Sequence, residues 1–361
     1  MTDHMTLQLR RPFGRTLILT LLWFCILLAG SEWFARTKVA KSLLLRPSIG
    51  SRHGQFENQL ARLEWVVQQD GSVDCIFLGS SLVWLGVKPD VFTQTYNQET
   101  GEKIRCFNFG VSAMPANAAA AVAKILVEDY HPKLLIYGLS ARDLAIPNDA
   151  EDSAVILETP WVQYRMGQFS IQGWLYDHSY FYRNLKSLNN LVRLNFNSPE
   201  EEFGLTLSER YGFLPKQEPI TDKSLTTANE YAHQWLYNYN VQQENILGLK
   251  QISRQRDQNL QVVVIDMPVP PVHFDYFKNG RQDFDQYIDQ VSNVLASERV
   301  VFWQMTDHNM ISESGWWDPS HLNEQGAQLF SEWLGHRVGT AVNQGEIISP
   351  VSDLMTIPNN K

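Results

Sequence analysis

Residues 74–82 read Asp74-Cys75-Ile76-Phe77-Leu78-Gly79-Ser80-Ser81-Leu82. A short apolar run that stops at a glycine is too short for a core helix. It reads instead as a strand covered on both faces and followed by a tight turn. The same grammar recurs downstream. Lys103–Phe109 predicts a second strand ending before Gly110, and alanine-rich Ala116–Tyr130 predicts a crossover helix stopped by His131-Pro132. Leu134–Tyr137 then predicts a third strand before Gly138. The rhythm resumes after a helix expected from about Thr226 to Gln255, with a strand over Gln261–Asp266 and a helix over Asp283–Ala296. A last strand over Arg299–Trp303 and a closing helix over Asn323–Leu334 complete the set, with Asn323 as N-cap and Ala327, Phe330 and Leu334 on one face. Strands alternating with helices predict an α/β fold, a flavodoxin-like three-layer sandwich with a parallel sheet.

Two segments lie outside that rhythm. Leu17–Gly30 reads LILTLLWFCILLAG, with no charge before Glu32 and with Arg10, Arg11 and Arg15 ahead of it. This is the pattern of a signal-anchor or a signal peptide, and Ala29-Gly30-Ser31 could serve as a cleavage site. Extending the run from Thr16 to Ala35 reaches the length of a transmembrane helix. Arg36, Lys38, Lys41, Arg46 and Arg52 follow the run, so flanking charge alone leaves its orientation open. Residues 145–225 carry Trp161, Tyr164, Trp174, Tyr176, Tyr180, Phe181 and Tyr182 among polar residues. They read either as an insertion over the strand ends, serving as lid or docking surface, or as a small helical subdomain with its own aromatic core. The expected organisation is a cytoplasmic tail and anchor over 1–35 and a juxtamembrane helix and linker over 36–70. The α/β domain follows in two parts, 71–144 and 226–340, flanking the insertion at 145–225, with a C-terminal tail over 341–361.

Composition narrows the function. The 361 residues are 44% hydrophobic and 19% charged, with a net charge of −9 and no run of Lys or Arg. That balance lacks the basic footprint of a nucleic-acid binder. The 11 tryptophans suit core packing better than carbohydrate or membrane-interface contact. Of three cysteines, Cys25 lies in the apolar run, while Cys75 and Cys106 each stand four residues before a strand-ending glycine and read as buried free thiols. No CxxC or HExxH occurs, so no metal site and no cofactor is expected.

Ligands of open α/β sheets bind beyond the carboxyl ends of the strands, and the polar residues of this chain gather there. After the first strand stand Ser80 and Ser81, the second holds Asn108 and is followed by Gly110 and Ser112, and after the third come Ser140, Arg142 and Asp143. Before the closing helix lies Asp318-Pro-Ser-His321. An aspartate three residues ahead of a histidine can accept the Nδ1 proton and leave Nε2 free as a base. A serine on a strand-to-helix turn is exposed to a substrate, and a glycine at a strand end can offer its backbone N–H to an oxyanion. The plainer readings are turn residues at Ser80 and Ser81, a helix cap at Asp318, a conformational need at Gly110 and a structural ion pair at Arg142-Asp143. His53, His131, His178, His233, His273 and His308 lack such a context and read as structural or surface residues.

Together these blocks resemble the SGNH or GDSL-like hydrolase family, over about residues 74–335 without the insertion. Gly79-Ser80-Ser81-Leu82 is similar to the nucleophile block, with Ser81 at the serine position and Ser80 in place of the usual aspartate. Gly110 matches the oxyanion glycine of the second block, and Asp318 and His321 match the terminal block. The third block departs: where the family has Gly-x-Asn-Asp, this chain has Gly138-Leu139-Ser140-Ala141, leaving Ser140 or Arg142 as a substitute donor. The resemblance implies a Ser81/His321/Asp318 triad, an oxyanion hole at Gly110 and Ser140, and accessory roles for Ser80, Asn108 and Arg142. It implies an esterase or O-acyltransferase. Membrane-anchored relatives act on acylated envelope polysaccharides, often beside a multi-pass membrane acyltransferase. That points to a single-pass inner-membrane protein with a periplasmic catalytic domain. The alternative is an inactive member that binds an envelope polymer or a membrane partner.

Overall fold

The apolar runs form five strands, β1 (Cys75–Gly79), β2 (Cys106–Gly110), β3 (Leu134–Leu139), β4 (Gln261–Asp266) and β5 (Val301–Gln304). All pair in parallel in the order β2-β1-β3-β4-β5, one of the doubly wound orders. The computed structural model describes residues 10–37, 39–40, 48–147, 150–191, 207–217, 234–256, 259–305 and 310–351. His233 and His308 fall outside these residues.

The helices, in chain order, are α1 (Arg10–Ala35), α2 (Gly54–Asp70), α3 (Ser81–Gly86), α4 (Pro89–Thr100), α5 (Ala116–Tyr130), α6 (Ala141–Ala145), α7 (Glu151–Leu157), α8 (Pro160–Arg165), α9 (Ile171–His178), α10 (Tyr180–Leu191), α11 (Leu207–Arg210), α12 (Gln243–Ser253), α13 (Arg281–Glu298) and α14 (Glu324–Asn343). Strand side chains alternate between two layers. Ile76, Leu78, Phe107, Phe109, Leu135, Tyr137, Val262 and Val264 join a core with α2, α5, α12 and α13. Cys75, Phe77, Cys106, Leu134, Ile136, Val263 and Ile265 join a second core with α4 and α14. Both faces are therefore covered, which explains why the strands are continuously apolar rather than alternating. Cys75 and Cys106 are register partners on adjacent strands, and both are buried free thiols.

Several boundaries differ from the sequence reading, β3 running on to Leu139 and β5 covering Val301–Gln304, and three of the differences have a visible cause. The second strand starts at Cys106, because Arg105 gives its N–H to the Asp74 side chain (2.9 Å). The helix expected from Thr226 is interrupted at residues 237–242, where Gln242 donates to Leu144 O, and it resumes as α12. Residues 218–233 lie outside the described part. The closing helix runs nine residues beyond Leu334, to Asn343, because Val338 and Ala341 continue its buried face.

Helices α7–α10 lie on the outer side of α2 and α5. Tyr176, Trp161 and Val162 are buried in the same core as those helices. Arg165 pairs with Glu128 and Asp129 of α5, and buried Arg183 pairs with Glu64 of α2 (2.8 Å). The aromatic residues of this segment thus extend the main core sideways. Helix α1 exposes its apolar side chains, and its window Gly14–Ala35 has 22 residues and a mean hydropathy of 1.9. At 1.5 Å per residue that is about 33 Å, enough to cross the hydrocarbon layer of a bilayer. The end of α1 is joined to the rest of the chain by Glu32. Its carboxylate accepts from Ser179 Oγ (2.7 Å) and from the N–H groups of Tyr180 (3.0 Å) and Phe181 (3.1 Å) at the start of α10.

Candidate active site

Parallel register brings the strand ends level: Gly79 faces Gly110 on one side and Gly138 on the other, and Leu139 faces Asp266. Ser80 is the N-cap of α3, so Ser81 opens that helix directly above β1. Ser81 Oγ lies 2.8 Å from His321 Nε2, and His321 Nδ1 lies 2.7 Å from Asp318 Oδ2. The other Asp318 oxygen accepts the N–H groups of Ser320 (2.7 Å) and His321 (2.8 Å). Burial works to raise the Asp318 carboxyl, but the facing imidazole and these N–H donors outweigh it and hold the group below its ordinary range. An ionised Asp318 keeps the proton on Nδ1 and leaves the Nε2 lone pair directed at Ser81.

The loop carrying Asp318 and His321 is closed at its base. Trp316 and Leu322 form an antiparallel bridge, and Trp317 N–H donates to His321 O (2.9 Å). Asn323 caps α14 by accepting from Gly326 N–H (3.1 Å) while its amide donates to Ser314 O (2.6 Å). One asparagine therefore fixes both the helix start and the loop before it. Buried His273 lies beneath the loop, with Nδ1 3.4 Å from Ser320 Oγ. Burial lowers its pKa to about 4, so it sits there neutral. The sequence reading left His273 among structural or surface residues; it is a buried support of the Asp318–His321 loop.

Gly110 does not present a free N–H. That group donates to Asn108 Oδ1 (2.9 Å), which removes the oxyanion role expected for it. Glycine is required there for space: a Cβ would lie 2.2 Å from Trp84 N, so α3 rests directly on the end of β2. Asn108 is fully buried, and its amide donates to Val83 O and Val87 O, both at 2.7 Å. It braces the far end of α3. Among the described residues, the N–H groups of Ser81 and Ala113 donate to no acceptor. Ala113 belongs to the loop leaving β2 and has a φ of 57°, the left-handed region that alanine seldom enters. Val111 N–H in that loop bonds to Gly79 O (2.9 Å), which holds the loop against the end of β1.

Ser80 and Ser140 meet through Asp143, which the sequence paired with Arg142 as either a structural or a catalytic pair. Asp143 is fully buried, and its Oδ2 accepts from Ser140 N–H (3.0 Å) and from Ser80 Oγ (3.3 Å). Burial raises its pKa to about 6 against the opposing charge of Arg142. Ser140-x-x-Asp143 has capping-box spacing, a signal that pairs the two residues from sequence alone. Next to it, Asp266 at the end of β4 accepts from Tyr287 OH (2.8 Å). Burial, with the Asp143 carboxylate adding to it, raises Asp266 to about 7. Trp317 borders the site, its ring 5.9 Å from that of His321, and Lys216 Nζ lies over it at 4.7 Å. Among the described residues, no group of three or more His, Cys, Asp or Glu could hold a metal ion.

Comparison with known proteins adds little to this geometry. A family profile that carries no description matches residues 227–343, less than half of the chain. Curated protein sequences give no match. Among solved structures, a gut microbial diltiazem-metabolizing enzyme aligns at 11% identity and a TM-score of 0.36, covering 74% of this chain and 47% of that one. A lipase from a goat rumen metagenome aligns at 12% identity and a TM-score of 0.34, covering 74% of this chain and 97% of that one. The chain spans about half the length of the first, and at these scores neither likeness bears on its chemistry.

Proposed function

We propose that this chain is a serine-dependent acyl-transfer enzyme of the SGNH class, an ester hydrolase or O-acyltransferase. The observation that carries the reading is the continuous relay from Ser81 Oγ through His321 to ionised Asp318. Ser81 Oγ bonds to the acyl carbonyl carbon as its proton passes to His321 Nε2. Asp318 stays ionised and steadies the imidazolium. The N–H of Ser81, at the start of α3, is a donor for the tetrahedral oxyanion, whereas that of Gly110 is taken by Asn108. Collapse breaks the bond to the alcohol, which leaves with the proton from His321. Water or an acceptor hydroxyl then gives its proton to His321 and takes the acyl group, and Ser81 recovers its proton.

With α1 read as a membrane span, the resemblance to membrane-anchored relatives supports an acylated envelope polysaccharide as substrate, a periplasmic catalytic domain and a multi-pass membrane acyltransferase as partner. A second reading, a non-catalytic binder of such a polymer or partner, is favoured by one feature: no side-chain amide stands at Ser140, where the family's third block supplies one. A fluorophosphonate probe applied to the full-length protein in detergent separates the two. Labelling of the wild type and none of Ser81→Ala is the expected result. An unlabelled wild type with intact fold overturns the enzyme reading in favour of the binder.

A further inference from the structure

The helical hairpin formed by the turn after α8 and the first residues of α9 is unlike the rest of the surface. Met166-Gly-Gln-Phe-Ser-Ile-Gln-Gly-Trp-Leu175 contains no charged residue. It exposes Phe169 (75%), Ile171 (71%) and Trp174 (43%), with Met166 also outside. A folded domain rarely leaves so many large apolar side chains in water on one short hairpin without a partner for them.

Its position says which partner. Trp174 stacks on His178 (5.1 Å), Tyr164 meets both His178 (5.8 Å) and Phe169 (6.4 Å), and the carbonyl of His178 accepts from Arg36 Nη2 (2.9 Å). Arg36 is the residue after the apolar helix. The next three residues, Ser179 to Phe181, bind the carboxylate of Glu32, which lies inside the 22-residue apolar window. A helix of that length places Glu32 in the layer between hydrocarbon and water, about 5–8 Å deep on each side. The junction of α9 and α10 must then lie in that layer too, and the hairpin is linked to it through the ring contacts just given. Trp33 (72% exposed) and Phe34 (49%) stand at the same level on α1. Amphipathic rings around a membrane boundary are what bilayer headgroups favour.

We propose that the 166–175 hairpin is a second membrane contact, seated in the headgroup and upper acyl region of the bilayer that α1 crosses. Helix α1 supplies the attachment; Phe169, Ile171 and Trp174 fix how the domain lies on the surface. The inference rests on the reading of α1 as a membrane span, and its test separates the two.

Cys75 and Cys106 are buried, while Cys25 is exposed in the middle of α1, so labelling sites can be chosen cleanly. The full-length chain with only Cys25 carries an environment-sensitive fluorophore there and reports the span. In a Cys25→Ser background, Phe169→Cys and Ile171→Cys report the hairpin, and Gln290→Cys on the exposed side of α13 reports solvent. Each protein is placed in nanodiscs containing lipids with a nitroxide at the shallow or the deep end of the acyl chain, and iodide serves as aqueous quencher. Residues 169 and 171 are expected to lose fluorescence to the shallow nitroxide and to be protected from iodide, with blue-shifted emission. Residue 290 is expected to behave oppositely, and Cys25 to be quenched by the deep nitroxide. Deep quenching at Cys25 with iodide-accessible labels at 169 and 171 overturns the proposal while leaving the span in place. Labels at 169 and 171 shielded from both quenchers also overturn it, since that outcome means a protein contact. Iodide-accessible Cys25 removes the span, and the proposal with it.

Discussion

Replacing Asp266 by asparagine should stabilise the protein above neutral pH and slightly destabilise it in acid. Asp266 is buried at the end of β4 and its pKa is raised from 3.8 to about 7. Between those values the folded state holds a proton that the unfolded state has released, so stability falls as pH rises through this window. At 1.36 kcal/mol per pKa unit, the full penalty above pH 7 is about 4 kcal/mol. Asparagine removes the charge and keeps an oxygen for Tyr287 OH, but its amide adds a buried donor that costs about 1–3 kcal/mol if left unpaired. The net gain at pH 8 is therefore about 1–3 kcal/mol. At pH 4.5, where Asp266 is already neutral, the variant should lose about 1 kcal/mol. Urea unfolding of the full-length chain in detergent, followed by tryptophan fluorescence at several pH values from 4.5 to 8, measures both signs. The slope of stability against pH should flatten in the variant. An Asp266→Asn protein no more stable at pH 8, with the wild-type slope intact, would refute the assignment of a buried, reluctantly ionised carboxylate.

Other substitutions test the site and its supports. Asp318→Asn should keep the fold and lower turnover of an activated ester about 10³–10⁴-fold, because the amide no longer holds the proton on Nδ1; steady-state rates with circular dichroism as control decide it. Asn108→Ala removes three buried hydrogen bonds beneath α3 and should cost about 3–4 kcal/mol, read as a fall in melting temperature. Ala113→Gly relieves a left-handed alanine and should raise stability by about 0.5–1 kcal/mol by the same thermal measurement.

The parallel sheet was readable because a strand buried on both faces is continuously apolar in its middle, as at Cys75–Gly79 and residues 262–265. The meeting of Asp318 with His321 was readable because three residues separate them on a loop that enters a helix. What escaped depends on contacts between distant segments. Gly110 was assigned to an oxyanion because nothing in the sequence shows that Trp84, 26 residues earlier, presses on it. The bond from its N–H to Asn108, two residues back, is a local turn contact that an asparagine at that spacing could have suggested. Asp143, in the first turn of α6, and Asp266, at the end of β4, resemble ordinary aspartates until burial reveals their cost in charge. The insertion read either as a cover or docking surface over the strand ends or as a helical subdomain; α7–α10 contact α2, α5 and the end of α1, while Tyr211 to Lys216 bond to Asn108, Trp84 and Glu324. No local pattern in Trp161–Tyr182 encodes the side of the domain on which it packs.

The bond between Ser81 and His321 joins residues 240 positions apart. At roughly 5–20 residues per second, about 10–50 s pass during synthesis between the appearance of the serine and that of the histidine. Throughout that interval Ser81 is an ordinary alcohol on a short turn, with no base to take its proton. His321 and Asp318, by contrast, are made almost together and share a loop. Reactivity therefore begins only once the loop before the closing helix has met a strand made long before it. A chain cut short before Asp318 keeps its serine and loses the power to use it.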